Sequence, residues 1–175
     1  RANTVIKLAQ VTGQSAQMVS DQMTAIWNNF EDGSKSLEYY ADVLTKLGAT
    51  TAASTDEIAD GLEKFAAIAK TVGLEYETAA AAVATIVDKT RQSADVVGTS
   101  LKTIFARLQN ISLGETLEDG VDLTKYSEAL EKVGVKVLDA QGQMRKMDDI
   151  LSDLGERWEG LGETTQIAIA QTVGG

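Results

Sequence analysis

The chain contains no cysteine, no histidine and no proline, and each absence closes a class of chemistry or architecture. Without cysteine there are no disulfides, thiolate nucleophiles or thiolate metal sites, and the redox compartment cannot be read. Without histidine the Ser-His-Asp and Cys-His systems are ruled out along with the usual transition-metal ligands, so carboxylates alone remain. Zero proline, against an average usage of about 5%, fits a chain of helices, because proline breaks the helical ladder. Basic residues are in deficit: 16 Lys and Arg stand against 26 Asp and Glu, for a formal charge of −10 at pH 7. Nucleic-acid and anionic-membrane surfaces call for dense Lys and Arg, so no direct nucleic-acid site is expected, while cationic partners stay open. Long apolar runs are missing too. The best stretch, Thr78 to Val87, is mostly alanine and falls well short of the ~20 residues needed to cross a bilayer; nor does the start resemble a signal peptide.

What is present is a chain of 175 residues, long enough for one domain with a real core or for two fused lobes. It opens on Arg1 without Met and closes on Gly174-Gly175 in mid-pattern, and so reads as a region of a longer protein. Its 15 glycines are spaced mostly singly, as helix C-terminal caps are, and not clustered as in a flexible linker. Between them, apolar residues recur in steps of four and three, the spacing of a helix face. Val19, Met23, Ile26 and Phe30 make one stripe; Leu37, Tyr40, Leu44 and Leu47 a second; Ile58, Leu62, Phe65, Ala69 and Val72 a third; Val97, Leu101, Ile104, Leu108 and Ile111 a fourth. Start and stop signals bracket them. Ser15 follows Gly13, Ser34 and Ser36 follow Gly33, and Ser54-Thr55-Asp56-Glu57 has capping-box spacing, while Gly48 and Gly73 are expected to end their helices. Between Glu75 and Ser93 an alanine-rich helix puts Ala79, Val83, Ile86 and Val87 inward, which lets neighbouring helices approach closely.

The texture changes near Ser112. Gly114, Gly120 and the carboxylates Glu115, Glu118, Asp119, Asp122 and Glu128 suggest a surface loop leading into a short helix with Tyr126, Leu130 and Val133. Val135-Lys136-Val137-Leu138 then reads as a short strand, Asp139-Ala140-Gln141-Gly142 as a turn and Gln143-Met144-Arg145 as the return strand. Met147, Ile150, Leu151, Leu154, Trp158 and Leu161 form a further amphipathic helix, and Thr164 to Val173 starts another. The expected fold is mainly α: a compact array of short amphipathic helices with one small β-hairpin near residues 135–145. Residues 1–111 are expected to form a helical lobe, and 112–175 the acidic loop, short helix, hairpin and C-terminal helices, as the same domain or a second lobe. No fixed period marks a solenoid repeat.

Few residues invite a catalytic or binding role. Glu156 beside Trp158 is the best candidate for an acid in glycoside cleavage, but Glu156, Arg157 and Glu159 have the pattern of a solvated helix side, not of the apolar pocket such an acid requires. The run Glu118-Asp119-Gly120-Val121-Asp122 suggests calcium, yet it lacks the alternating ligands and final Glu of an EF-hand loop. Lys89, Arg91, Lys102 and Arg107 form the locally basic stretch, with Phe105 on the apolar stripe instead of interleaved as a base-stacking platform. The stripes also have heptad spacing, but each runs for under three heptads, and glycine breaks favour short helices folding on one another over intermolecular coiled coil. Trp27 and Trp158 read as packing residues. No catalytic, cofactor-binding or metal-binding residue is assigned, and the chain is expected not to be an enzyme.

The order of several segments carries a resemblance. Ala41-Asp42-Val43-Leu44 followed by Thr50-Thr51 and Ser54, then Gly73-Leu74-Glu75-Tyr76-Glu77-Thr78-Ala79, and Gly98-Thr99-Ser100-Leu101-Lys102-Thr103-Ile104-Phe105-Ala106-Arg107-Leu108 resemble the core region of tail tape measure proteins from long-tailed bacteriophages. So do Trp27-Asn28-Asn29-Phe30, Gly134-Val135-Lys136-Val137, the segment from Asp139 to Gly142, Asp149-Ile150-Leu151-Ser152-Asp153-Leu154 and the Trp158 helix, across nearly the whole chain. The resemblance implies a structural protein of a virion or prophage tail that occupies the tail lumen, after assembly in the host cytoplasm. Such a protein acts in tail assembly, sets tail length and leaves the tube during genome ejection. It implies partners among tail-tube proteins, tail-assembly chaperones and further copies of the chain itself, and no catalytic residues. The alternative is a cell-wall-degrading or membrane-active module used during ejection. A continuous helix of this length would reach roughly 260 Å; the glycine stops and several amphipathic faces instead predict a folded module, with a radius of gyration of about 16 Å.

Overall fold

A computed structural model of the chain describes residues 2–111 and 124–174. Its elements, in order, are α1 (Ala2–Thr12), α2 (Ala16–Phe30), α3 (Leu37–Thr50), α4 (Thr55–Thr71), α5 (Tyr76–Thr90), α6 (Ala94–Ile111), α7 (Thr124–Lys132), α8 (Met147–Trp158) and α9 (Glu163–Gly174). They fall into two compact units, one of residues 1–70 with 75–102 and one of residues 71–74 with 103–175.

In the first unit, side chains start the helices where the sequence signals them. The hydroxyl of Ser15 accepts from the Met18 amide at 3.2 Å, and that of Ser36 from the Tyr39 amide at 3.2 Å. Ahead of α4 the capping box closes reciprocally: Glu57 accepts from the Ser54 amide at 2.8 Å while the Ser54 hydroxyl accepts from the Glu57 amide at 3.4 Å. These bonds satisfy amides that have no partner inside the helix, each worth ~1 kcal/mol. Gly48 behaves differently from expectation. It lies within α3, which continues to Thr50, and a Cβ there would stand 2.3 Å from the Thr55 hydroxyl oxygen. The reason for glycine is a close approach to the start of α4, not a helix stop.

The stripes turn inward. Val19, Met23 and Ile26 of α2, Tyr40 and Leu44 of α3, and Ile58, Leu62, Phe65 and Ala69 of α4 are all buried, as are Ala79, Ala80, Val83 and Val87 of α5. Fully burying a side chain of Val, Leu or Phe size contributes ~1.5–3 kcal/mol, so this shared core is what holds the short helices. Gln22 is buried as well, and its amide donates to the Asp60 carboxylate. Where α4 meets α6, Gly61 and Gly98 face each other: a Cβ on Gly98 would stand 2.4 Å from the Gly61 carbonyl oxygen. Backbone packs on backbone there, closer than side chains would allow.

The second unit buries Val72, Leu74, Phe105, Leu108, Leu130, Val135, Val137, Met147, Ile150 and Ile169. Here the expected β-hairpin is corrected: among the described residues there is no strand, only an isolated antiparallel bridge between Leu138 and Met144. The turn itself forms. Asp139 accepts through its carboxylate from the amides of Gln141 (2.9 Å) and Gln143 (2.8 Å), and its own amide donates to Gln143 O at 2.8 Å. Past the turn the arms share one more backbone bond, from the Arg145 amide to the Val137 carbonyl at 2.9 Å, and beyond it the backbone finds other partners. The Val135 amide donates to the Leu130 carbonyl at the end of α7, and the Lys136 carbonyl accepts from the Arg145 guanidinium at 2.8 Å. The Met147 amide donates to the Val72 carbonyl at 2.8 Å. With Val135 and Val137 drawn into the core and those groups satisfied elsewhere, nothing drives the arms to pair further, and a lone two-stranded ribbon is marginal in water.

Candidate interaction surface

The first unit presents a groove between its first two helices. Gly13, with φ +72°, turns the chain after α1, and the Ser15 cap restarts it as α2. Only Leu8 of α1 is buried, so α1 lies on the unit with a thin seat. Beside it opens a cavity of about 490 Å³ with Val5 and Ile6 on one wall, Ser20, Thr24 and Trp27 on the other, and Met23 and Leu37 at the floor. None of the residues lining it is ionisable. Ile6, on the rim, is 52% exposed.

An aromatic framework stiffens the far end of α2. The Tyr40 ring stacks edge-on to Trp27 (centroids 5.9 Å apart) and to Tyr76 (4.7 Å), and Phe30 meets Tyr76 at 5.4 Å. Both buried phenols are satisfied: Tyr40 donates to the Phe30 carbonyl at 2.9 Å and Tyr76 to the Tyr40 carbonyl at 2.6 Å. Burial pushes the Tyr76 hydroxyl well above the ordinary tyrosine range, so it remains a donor. At the surface of the same framework, Glu77 accepts from Lys35 and Tyr39. Burial opposes the charged form of Glu77, but these two bonds outweigh it and hold its carboxyl below the usual range.

A second feature was not legible in the sequence. At the end of α5, Asp88 accepts from the Ala52 amide at 2.8 Å while Arg91 donates to the Ala52 carbonyl at 3.1 Å. The two side chains clasp a peptide of the α3–α4 loop, and the Ala52 amide holds the Asp88 carboxyl below its usual range. Arg91 itself adopts a left-handed conformation, φ 57°, where a glycine would be expected after a helix.

The residues singled out by sequence are scattered. Glu156 is exposed on α8, and Trp158 is half-buried with its carbonyl accepting from the Gln166 amide group at 2.7 Å. Trp27 is half-buried in the aromatic framework and lines the groove. Lys89 pairs with Asp88 at 3.5 Å and Arg91 serves the loop clasp, while Lys102 and Arg107 lie on α6. The candidate calcium run 118–122 lies outside the described residues. Among the described residues no group of three or more acidic side chains is placed to hold a metal ion, and no helix is long and apolar enough to cross a membrane.

A family model described as phage-related minor tail protein matches residues 1–175, the whole chain. The chain belongs to this family. A probable tape measure protein of Escherichia phage P2 is 28% identical over 148 residues, covering 83% of this chain and 17% of that protein. A tape measure protein of Pneumococcus phage Dp-1 is 24% identical over 157 residues, covering 90% of this chain and 13% of that protein. The resemblance read from the ordered segments is thereby borne out, and the chain spans less than a fifth of the length of these curated relatives. No solved structure matches it.

Proposed function

We propose that this chain is a folded, non-enzymatic helical module of a phage tail tape measure protein, placed in the tail lumen and acting in tail assembly and tail-length determination. The observation that carries the reading is the alignment of tape measure proteins from two phages along 83% and 90% of the chain. The burial of most of the stripe residues of α2 to α5 supports a module that works by contact: those apolar faces hold its helices together. Partners of its exterior are tail-tube proteins, tail-assembly chaperones and other copies of the module, and the module leaves the tube with the rest of the tape during genome ejection.

The test is an in-frame deletion of these residues from the parent gene, with tail lengths measured by electron microscopy. A segment that acted as continuous helix would shorten the tail by roughly 260 Å at 1.5 Å per residue. A folded module shortens it far less, or arrests assembly through lost contacts. Tails of full length and full infectivity would overturn the assignment.

A further inference from the structure

We propose that Asp32–Gly33 is a site of spontaneous isomerisation to isoaspartate, and that Ser34 restrains it. The inference concerns the covalent life of the chain and stands apart from the tail reading.

The reaction needs nothing beyond water. The Gly33 amide nitrogen attacks the carboxyl carbon of the Asp32 side chain, loses its proton and displaces one carboxyl oxygen as water, leaving a five-membered succinimide. Water then opens the ring. Addition at the side-chain carbonyl restores aspartate, and addition at the main-chain carbonyl leaves isoaspartate, so the net change in mass is zero. Glycine after aspartate favours the attack, because no Cβ crowds the nitrogen and the backbone turns freely.

Asp-Gly occurs three times, at 32–33, 60–61 and 119–120, and the last pair lies outside the described residues. Folding separates the other two. Asp60 and Gly61 lie within α4, with Gly61 buried and Asp60 accepting from Gln22 at 2.5 Å. Ring closure there requires turning the Asp60 backbone out of its helical conformation and breaking the helical bonds around it. Asp32 and Gly33 are exposed in the connection between α2 and α3. Gly33 has φ +84°, a Cβ on it would meet only Glu31 Oε1 at 4.0 Å, and its amide has no hydrogen-bond partner among the described residues. The nucleophile is available, and so is the water that opens the ring.

Ser34 supplies the restraint. Asp32 Oδ1 accepts from the Ser34 amide at 2.9 Å and from the Ser34 hydroxyl at 2.6 Å, an Asx turn that aims the carboxylate past Gly33. The same two bonds hold the carboxyl below its usual range, and a carboxylate gives up an oxygen less readily than a neutral carboxyl. Conversion carries the main chain through the former side chain, lengthening it by one carbon and dissolving the turn ahead of Lys35, which binds Glu77.

The test is incubation of the chain in warm neutral buffer, folded and in guanidinium chloride. Isoaspartate is located by isoaspartyl methyltransferase labelling and by resistance of the mapped peptides to Asp-N protease. In the folded chain label is expected at Asp32 and not at Asp60; in guanidinium chloride it is expected at both. Ser34→Ala should raise the rate at Asp32 by at least about twofold, because two charge-assisted bonds are lost at an exposed, screened site. Asp32→Asn, with a better leaving group, should lose ammonia at this position while still folded, which reports ring closure in the connection directly. Helicity by circular dichroism confirms that each variant folds. Conversion at Asp32 only in guanidinium chloride, label at Asp60 as fast as at Asp32 in the folded chain, or a Ser34→Ala rate at or below the parent's would overturn the proposal.

Discussion

Alanine in place of Gly98 should destabilise the first unit, although alanine is the better helix former. Gly98 lies inside α6, where the exchange alone would gain ~1 kcal/mol. The added Cβ, however, would stand 2.4 Å from the Gly61 carbonyl oxygen, 2.9 Å from Lys64 Cβ and 3.1 Å from the Gly61 carbonyl carbon. Ordinary contact begins near 3.4 Å, so α4 and α6 must separate by about 1 Å. No rotamer change relieves a clash with backbone, and the displacement loosens Leu62, Phe65 and Val97, all buried. Overpacking costs ~1–3 kcal/mol, and the backbone origin puts this case at or beyond the upper end, for a net loss of ~2 kcal/mol. In a unit of this size that corresponds to a fall of roughly 10 °C in Tm, read by circular dichroism and checked by urea denaturation. Gly155→Ala in α8 is the opposite case: nothing lies within 4 Å of the new Cβ, and a gain of ~0.5–1 kcal/mol is expected. If Gly98→Ala melted at or above the parent, the close backbone crossing would be refuted.

Gly61→Ala meets a side chain, the Val83 methyl at 2.6 Å; combined with Val83→Ala it should therefore lose less stability than the two single changes summed, as a double-mutant cycle would record. Tyr76→Phe removes a buried 2.6 Å bond to the Tyr40 carbonyl and should cost ~1–2 kcal/mol in denaturant titrations with helicity unchanged. Glu77 and Asp88 have carboxyls held below their ordinary ranges. The folded chain therefore binds fewer protons at these sites than the unfolded one, and their contribution, present at neutral pH, fades as pH falls through and below those ranges. The paired change Glu77→Gln with Asp88→Asn should flatten the acid limb of a stability-against-pH curve, and an unchanged limb would refute that origin. Purified chain should not clear peptidoglycan suspensions, and Glu156→Gln should behave as the parent does; clearing abolished by that change would install the enzymatic alternative. It should also fail to co-sediment with anionic liposomes at low or high salt.

Much of the helical plan was legible in one dimension, because a helix face and a cap are local. Val19, Met23 and Ile26, or Ile58, Leu62 and Phe65, sit on one side of a 3.6-residue turn whatever they pack against, and all are buried as their spacing implies. Ser15, Ser36 and the Ser54 and Glu57 pair act on amides within three residues of themselves, so the same signals that mark them in sequence hold them in structure. The lack of cysteine and histidine likewise removes chemistry without reference to any fold. Tertiary structure decided what depends on distant partners. Asp88 and Arg91 look like surface charges until folding brings the α3–α4 loop to them. Gly48 looks like a helix stop until Thr55 is seen against it, and Gly61 and Gly98, 37 positions apart, become a backbone crossing only when α4 lies on α6. At 135–145 the β-pattern was correct for the turn, which Asp139 makes locally. It failed for the strands, because the backbone of Val135 and Lys136 was satisfied by the Leu130 carbonyl and the Arg145 side chain, partners supplied by the packed chain.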